Sequence, residues 1–434
     1  MLDELRQAAT RQRRARTLRA ALLGTRRLVS EQGEMNGQPM ARELIERLDR
    51  LDEDQLDDYF EHLARDLDPA PREVLRCAQA YAEQPGPATL LALSQAVESP
   101  RQELLRRLNR TPGGTASILR LRRALLHRLA ERPGWQSIEA DLLHLLSSWF
   151  NPGFLRLERV DWQSPAQLLE KLILHEAVHE IDGWDDLRRR LQPDRRCFAF
   201  FHPQLPDEPL IFVEVALLPE MPAEVAPLID KASTPLPPEQ FRCAAFYSIS
   251  NCERGLRGVS LGNFLIKQVA ERLQKELPGL RSFCTLSPIP GFASWLRGGP
   301  DLAALPAPKA QAARLAAAHS TLLAACDGDL GALQGAPGLA RLDEPAQAAL
   351  LALAAAYLLH VSPTPHGDPV ARFHLDNGAR FERLNPRANL APKGLRQSFG
   401  LMVNYRYDLS RIEASHTQFR RGEVAHSRAV AALV

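Results

Sequence analysis

Apolar and polar positions divide the chain into two parts with different periodicity. Over the first ~160 residues the apolar positions recur at helical spacing, and clusters of proline and glycine separate the helical stretches. One such stretch, residues 41–67, carries its apolar side chains at Leu44, Leu48, Leu51, Leu56 and Phe60. This part is predicted to be a helical bundle that packs or oligomerises and carries no chemistry of its own.

Shorter segments with the composition of β-strands begin after Trp162. A hairpin is predicted over 196–217, with the turn-forming residues QLPDEP between its strands. A third strand, a helical pattern and a fourth strand follow, which is the order of a βαβ unit. The predicted strands are 196–202, 210–217, 244–250 and 280–286, and the helix is 261–277.

Residues from about 300 to 360 are rich in alanine and leucine and are predicted to form a helical insertion. Strands return in VARFHLDNGARFERL (370–384), where Asn377-Gly378 favours a hairpin and His374 falls on a strand. The segment 400–409 is predicted to be the last strand. The fold class is therefore α+β, with a helical domain at 1–163 and a second domain at 164–434.

The composition excludes some classes of function. The 434 residues contain 54 Lys and Arg and 52 Asp and Glu, so no global charge attracts nucleic acid or a membrane surface. Six cysteines without a CxxC pair favour a reducing compartment. The most apolar run, 348–359, is too short to cross a bilayer. With no recognisable signal peptide, we expect a cytoplasmic protein that binds neither nucleic acid nor membrane.

The string HEAVH at 175–179 matches the HExxH signature of zinc metalloproteases. That site needs both histidines one turn apart on a helix, and a third ligand further along the chain. Here Asp182-Gly183 ends the helix within a turn, and no third ligand follows at a convincing distance. A role in packing is favoured, and no metal site is predicted.

A glycine-containing turn stands between the third strand and the helix of the βαβ unit. Such a turn presents free backbone N–H groups and the positive end of the helix dipole, which suit a pyrophosphate. Alternatively, its glycines merely permit a tight turn. The residues concerned are Arg257, Gly258, Val259, Ser260, Leu261, Gly262 and Asn263.

Three further positions are candidates for chemistry. Ser287 opens SPIPGF, whose prolines stiffen the turn around the hydroxyl, although Ser-Pro is also a common start of a helix. His374 lies in FHL, and a single histidine in such a setting is usually structural. Tyr407 closes NYRY, which by itself is ordinary strand sequence.

Several of these segments, in this order, resemble the malonyl-CoA decarboxylase family. The resemblance covers essentially the second domain, and the helical character of the first domain agrees with it. The family shares EAVH without the leading histidine, so His175 completes HExxH by coincidence. The matching segments are FNPGFLRLERVDW, EAVH, RRCFAFFHP, EPLIFVEVAL, FYSISNCERGLRGVSLGNFLIKQV, LSPIPGF, DPVARFHLDNGA and GLMVNYRY.

The resemblance implies a catalytic domain of the GNAT acyltransferase fold behind a helical oligomerisation domain. It implies that 257–263 grips the pyrophosphate of coenzyme A, and that Ser287 and His374 are the catalytic pair. Tyr407 is a weaker candidate that helps to hold the site. Some relatives carry an acidic residue at the position of Ser260, so no catalytic duty is assigned to that serine.

The implied reaction converts malonyl-CoA to acetyl-CoA and CO2 in a homodimer or homotetramer. No cofactor is expected, because the thioester itself accepts the electrons and coenzyme A belongs to the substrate. We expect N–H groups near Ile249 and Ser250 to stabilise the enolate oxygen. Ser287 and His374 would hold the carboxylate, and one of the two would protonate C2. His374 is favoured as the donor because a histidine pKa is nearest neutral, but the sequence leaves Ser287 open as the alternative.

Two other functions fit the same fold. An N-acyltransferase would use the same phosphate turn but would need an acceptor cleft and a base for the amine. A helical scaffold that binds acyl-CoA without turning it over would need no Ser/His pair. The pairing of SPIPGF with FHLDNG favours the decarboxylase over both alternatives.

Overall fold

The structure, a computed structural model, describes residues 2–259, 261 and 265–434, with backbone only for 2–11 and 31–35. The chain forms two compact units. The first comprises residues 1–156, 201–209 and 253–261. The second comprises residues 157–200, 210–252 and 262–434.

The first unit is helical, as predicted. Its α3 shows how the sequence sets a helix: Asp52 accepts the N–H of Gln55, and the Gln55 side chain accepts the N–H of Asp52. The helices are α1 (Leu2–Val29), α2 (Glu31–Leu48), α3 (Glu53–Asp66), α4 (Pro71–Glu83), α5 (Pro87–Val97), α6 (Pro100–Asn109), α7 (Gly114–Arg128) and α8 (Gln136–Trp149).

The second unit carries a mixed sheet with helices around it. Its strands, of which β2 and β3 extend into the segment 201–209, are β1 (Arg156–Val160), β2 (Arg195–His202), β3 (Leu205–Leu218), β4 (Cys243–Asn251), β5 (Ser282–Thr285), β6 (Ser287–Pro288), β7 (Arg380–Asn385) and β8 (Met402–Tyr407). Its helices are α9 (Ala166–His175), α10 (Gly183–Arg190), α11 (Ala226–Ile229), α12 (Leu265–Glu276), α13 (Phe292–Arg297), α14 (Lys309–Ala325), α15 (Ala336–Ala340), α16 (Glu344–Ala356), α17 (Pro369–Asp376), α18 (Pro392–Ser398), α19 (Ile412–Arg420) and α20 (Arg428–Ala431).

The strands run in the order β1-β2-β3-β4-β5-β8-β6, with β7 also paired to β8. Neighbours β3 and β4 are antiparallel, whereas β4 and β5 are parallel and are joined through α12. The pairs β5–β8, β6–β8 and β7–β8 are also antiparallel, so β4–β5 is a parallel pair within a mixed sheet. The predicted α+β fold, a helical N-terminal part followed by a mixed sheet with helices, is confirmed.

The strand predictions over 196–217 and 244–250 are confirmed, but the hairpin turn is shorter than expected. β3 begins at Leu205, so most of QLPDEP belongs to the strand and only residues 203 and 204 form the turn. The segment's polar side chains do not prevent pairing, because they lie at the exposed start of β3.

The predicted insertion is helical and contains α14, α15 and α16. The helical run Glu344–Val361 has the length and apolar character of a membrane-spanning segment, and half of it is buried within the protein. A buried core helix has the same composition, and α16 packs against α14 here.

The strand predicted around His374 is wrong. Residues Pro369–Asp376 form α17, and the strand β7 begins only at Arg380. Asp368 caps the helix, with proline at its first position, and Gly378 follows the helix end with φ +79°. Asn377-Gly378 is therefore a helix C-terminus and not a hairpin turn.

Candidate active site

The predicted residues Ser287, His374 and Tyr407 lie in one hydrogen-bonded row. Ser287 Oγ is 2.9 Å from Nε2 of His374, and Nδ1 of His374 is 2.9 Å from the Tyr407 hydroxyl. All three side chains are buried, with at most 4% of their surface exposed. The fold thus joins a serine and a histidine that are 87 residues apart in the sequence.

Short strands and one helix hold these side chains. Ser287 follows β5 directly and pairs with Val403 of β8. Tyr407 lies at the other end of β8, where it pairs with Phe283. The histidine comes from the last turn of α17. The serine and tyrosine therefore stand on adjacent strands, and the histidine approaches from a helix packed beside them.

A threonine that the sequence did not single out decides where the serine proton points. Ser287 Oγ donates to Thr285 Oγ1 at 2.8 Å. A hydroxyl has one proton, so the bond between Ser287 and His374 is donated by Nε2–H of the imidazole. Nδ1 then accepts from the Tyr407 hydroxyl. The signal for Thr285 was its spacing, because residues two apart on a strand face the same side.

Burial sets the protonation of the row. It lowers the pKa of His374 to about 3, and it raises the pKa of Tyr407 well above its usual value. The imidazole is stacked on the ring of Tyr405, with centroids 4.8 Å apart and planes 28° apart. The histidine is therefore neutral at pH 7, contrary to the expectation of a pKa near neutral.

The β4 strand opens away from β5 next to this row. Pairing between the two strands ends at Phe246 and Thr285, whereas β4 continues to Asn251. The register of β4 against β3 also shifts at Tyr247, because Glu214 pairs with Ser248 and Val215 with Phe246. Such a bulge bends a strand and re-aims its groups. The edge of β4 that carries Ile249 and Ser250 has no β5 partner in register.

The HEAVH string does not form the helix of a zinc protease. α9 ends at His175, and the residues that follow are not helical. The carboxylate of Glu176 lies with its two oxygens 2.8 and 2.7 Å from Ser248 Oγ, which shares its one proton between them, and it also accepts from Ser250 Oγ and from the N–H groups of Val178 and His179. This carboxylate anchors the segment to β4. Within the described part of the chain, no three potential metal ligands converge.

Part of the predicted phosphate turn can be described. Within the first unit, the buried Arg122 donates to the carbonyl oxygens of Gly255 and Arg257 at 2.6 and 2.7 Å, and its guanidinium also pairs with Glu139. Gly258 has φ +80°, a left-handed conformation that favours glycine. Arg257 is exposed, and Val259 and Leu261 are buried. Ser260, Gly262 and Asn263 lie outside the described residues.

Asn404 is a second residue that the sequence did not identify. Its side chain is fully buried and donates to the carbonyl oxygens of Thr285 and Pro222, while its oxygen accepts from Arg383 and Asn385. It thereby fastens β8 to the end of β5, beside Ser287. Nothing in the bare string NYRY distinguished this asparagine from an ordinary strand residue.

Family models match most of the chain. Residues 153–434 match the malonyl-CoA decarboxylase C-terminal domain, and residues 67–150 match the N-terminal domain of the same family. A rat protein, "Malonyl-CoA decarboxylase, mitochondrial", is 38% identical over 321 residues. The match covers 70% of this chain and 65% of the rat protein, so the chain spans about two thirds of that relative's length.

Solved structures resemble the whole chain. The malonyl-CoA decarboxylase from Rhodopseudomonas palustris is 44% identical, with a TM-score of 0.83 and coverage of 94% of this chain and 98% of that one. The malonyl-CoA decarboxylase from Agrobacterium vitis is 43% identical, with a TM-score of 0.82 and coverage of 95% and 99%. Both similarities extend over the helical part as well as the sheet.

Proposed function

Because the chain belongs to the malonyl-CoA decarboxylase family, we propose that it converts malonyl-CoA to acetyl-CoA and CO2 at the Ser287–His374–Tyr407 row. The observation that carries this proposal is the 2.9 Å contact between Ser287 Oγ and His374 Nε2 in a buried site. Neither residue is a neighbour of the other in sequence. Their contact supports the proposal that one small acyl group meets both a hydroxyl and an imidazole.

The chemistry asks little of the protein beyond orientation and proton transfer. When the malonyl carboxylate leaves as CO2, the electrons of the broken C–C bond move into the thioester carbonyl and form an enolate. The thioester is its own electron acceptor, so the reaction requires no metal or organic cofactor. The protein has to hold the breaking bond perpendicular to the carbonyl plane and then deliver a proton to C2.

His374 acquires its proton together with the substrate. In the free protein the imidazole is neutral, because burial lowers its pKa to about 3. A bound malonyl carboxylate supplies the missing opposite charge and favours the imidazolium. After CO2 has left, the imidazolium passes one proton to C2 and returns to the neutral form. On binding, the Ser287 hydroxyl turns its proton from Thr285 to donate to the carboxylate, and it lies between the imidazole and C2 after CO2 has left.

The unpaired edge of β4 supports the proposal for the enolate oxygen. Backbone N–H groups near Ile249 and Ser250 stand on the part of β4 that continues past its pairing with β5. Preorganised donors of this kind contribute about 3–4 kcal/mol each to a transition state that develops negative oxygen. The turn 257–263 is proposed to hold the pyrophosphate of coenzyme A.

The proposed function is tested by a decarboxylation assay on the purified chain. With malonyl-CoA as the only substrate, we expect release of CO2 and formation of acetyl-CoA. His374→Ala is expected to lower kcat at least ~100-fold, the usual scale of general acid–base help. Ser287→Ala should lower it similarly, and Tyr407→Phe less, because the Tyr407 hydroxyl bonds to the imidazole and acts through it.

Other outcomes of this assay would favour other functions. Binding of malonyl-CoA without CO2 release would contradict the decarboxylase and support a binding scaffold. Acetyl transfer that depends on an added amine would support an N-acyltransferase. Normal turnover by His374→Ala would refute the assignment of the row while leaving the overall activity intact.

The proposal includes a homo-oligomer, a dimer or tetramer, assembled through the helical part. Its support is α5, an apolar helix in which no residue is buried. Large apolar patches on a surface mark sites of protein contact. The large apolar side chains of α4 and α5 that are about half exposed or more are Leu75, Leu90, Leu91 and Val97.

The proposed compartment is the cytoplasm. All six cysteines are free thiols, and Cys243 Sγ lies 3.4 Å from Cys284 Sγ without a disulfide. Unpaired cysteines are typical of reducing compartments. The rat and mouse relatives are named as mitochondrial proteins.

A further inference from the structure

One buried carboxylate connects the two segments that carry Ser287 and His374. Asp368 is 1% exposed and caps α17, where Oδ1 accepts the N–H groups of Val370 and Ala371 at 3.0 Å each. Its other oxygen, Oδ2, accepts the N–H of Gly291 at 2.9 Å. Gly291 belongs to the SPIPGF segment. The same side chain therefore starts the helix of His374 and holds the loop of Ser287.

This connection bridges a long interval of chain. Gly291 and Asp368 are 77 residues apart, and the helical insertion lies between them. The contact of Ser287 with His374 is a single hydrogen bond between two side chains, and it does not involve the backbone of either segment. A second tie between the backbones removes the freedom of α17 to slide along the loop, because a carboxylate bonded at both oxygens has a defined orientation.

The loop also has no room to move towards another position. A Cβ on Gly291 would lie 2.2 Å from the Tyr357 hydroxyl and 3.4 Å from Asp368 Oδ2. The ring of Tyr357 is itself packed against Phe292 and Trp295, with centroids 5.8 and 5.0 Å away. Gly291 therefore passes through a narrow gap with its N–H pointing at the carboxylate.

Both side-chain oxygens of Asp368 have to accept hydrogen bonds, one from the SPIPGF loop and one from α17. Burial raises the pKa of Asp368, and the three N–H bonds oppose that rise. The positive end of the α17 dipole adds to the stabilisation of the anion. An amide in place of the carboxylate would keep one acceptor for the helix cap but would point an NH2 group at the N–H of Gly291.

We propose that Asp368 is a positioning residue, which sets the distance between Ser287 and His374 without touching the substrate. The inference rests on the proposed function, since it assigns a task to the same row. Misplacement of a reacting group by about 1 Å lowers a rate ~100-fold. Loss of the hydrogen bond between Asp368 and Gly291 is therefore expected to lower kcat more than it weakens substrate binding.

Asp368→Asn is the variant that breaks the tie and keeps the cap. We expect kcat for malonyl-CoA to fall by about 10- to 100-fold and KM to change by less than ~3-fold, because the interaction lost orients the reacting groups. Asp368→Glu, which restores a carboxylate, should recover part of kcat. The matched control is Asp343→Asn, since Asp343 caps α16 through the N–H of Ala346 and makes no tie to the SPIPGF loop.

A double-variant cycle separates positioning from general destabilisation. If Asp368 acts through the Ser287–His374 contact, Asp368→Asn should cost much less in kcat when His374→Ala is already present. Multiplication of the two losses would overturn the proposal. So would an equal effect of Asp368→Asn and Asp343→Asn on kcat at matched thermal stability.

A measurement without substrate keeps this inference distinct from the proposed function. Hydrogen exchange of the peptide that covers 287–292 should accelerate at least ~10-fold in Asp368→Asn and remain unchanged in Asp343→Asn, because a tied N–H is protected. Unchanged exchange in Asp368→Asn would refute the tie. Absence of CO2 release by the wild-type chain would refute the decarboxylase, and the exchange result would still decide whether Asp368 holds the loop.

Discussion

At the scale of single residues, the site combines polar groups with a buried, neutral imidazole. Among the described residues, the two ring nitrogens of His374 bond to Ser287 and Tyr407, whereas a histidine in a hydrolase triad bonds to a buried carboxylate. Tyr407 occupies the position of that carboxylate. A neutral partner leaves the imidazole uncharged until an anion arrives, which suits a substrate that brings its own carboxylate.

The same burial makes the protein sensitive to acid. His374 and His179 both have their pKa lowered to about 3 by burial. In the unfolded chain a histidine titrates near pH 6.5, so between pH 6.5 and 3 the unfolded chain binds more protons than the folded one. Stability is therefore complete above pH 6.5 and falls as the pH drops through this window.

The prediction is a change in the pH dependence of unfolding. Each histidine lowers the free energy of unfolding by about 2 kcal/mol between pH 6.5 and 5, at about 1.36 kcal/mol per pH unit. In His374→Gln the loss of unfolding free energy between pH 7 and pH 5 should be smaller by that amount, as measured by urea titration. The exposed His366 provides the control, and His366→Gln should follow the wild type. Parallel curves for wild type and His374→Gln would contradict a neutral imidazole.

At the scale of elements, α17 shows how two local signals compete. Alternating residues around His374 and the pair Asn377-Gly378 suggested a hairpin. The segment instead forms a two-turn helix. It begins after the N-cap Asp368, with Pro369 at its first position, and it ends before Gly378, which has the left-handed conformation. The cap signals decide the element because they satisfy backbone groups at both helix ends.

The turn after β4 gives a prediction at the same scale. Gly258 is exposed with φ +80°, and a side chain in this conformation costs about 1–2 kcal/mol. If the turn binds the pyrophosphate, Gly258→Ala should raise KM for malonyl-CoA by ~5- to 30-fold, the factor to which that energy corresponds. We expect kcat to stay within about twofold, because the reacting atoms are not touched.

The control for this variant is Gly299→Ala. Gly299 has φ +68°, so an alanine there has backbone strain similar to that of Gly258→Ala. A Cβ at Gly299 would meet no atom within 4 Å, so the substitution adds no steric clash. Steady-state kinetics of both variants measure the difference. Equal KM values would remove the turn from the list of coenzyme-binding elements.

At the scale of the whole molecule, the helical part exposes an apolar helix, α5, to solvent. In α5 no residue is buried, although the helix contains mainly alanine, leucine and valine. Removal of apolar surface from water is favourable by about 25 cal/mol per Å², which favours association once the costs of binding are offset. We therefore expect the α4–α5 pair to be covered by a second copy of the chain.

The corresponding variant is Leu90→Glu with Leu91→Glu. The two charges should lower the molar mass in solution, as measured by light scattering after size-exclusion chromatography, because charges at an interface core are unfavourable. The helical circular dichroism should not change. Leu174→Glu, at a leucine of α9 that is 77% exposed, is the control. An unchanged mass for the double variant would place the interface elsewhere.

The sequence alone determined the fold class and most strands, and its resemblance to a family named Ser287, His374 and Tyr407 as candidates. Periodicity and turn residues are local signals, and the order of the matching segments is legible without coordinates. Only the tertiary structure decided that Ser287 contacts His374 and that Thr285 accepts the hydrogen bond of the Ser287 hydroxyl. It also decided that Asp368 connects the SPIPGF loop to α17. Hydrogen bonds between segments 77 or 87 residues apart depend on how strands and helices pack, and no local pattern encodes that geometry.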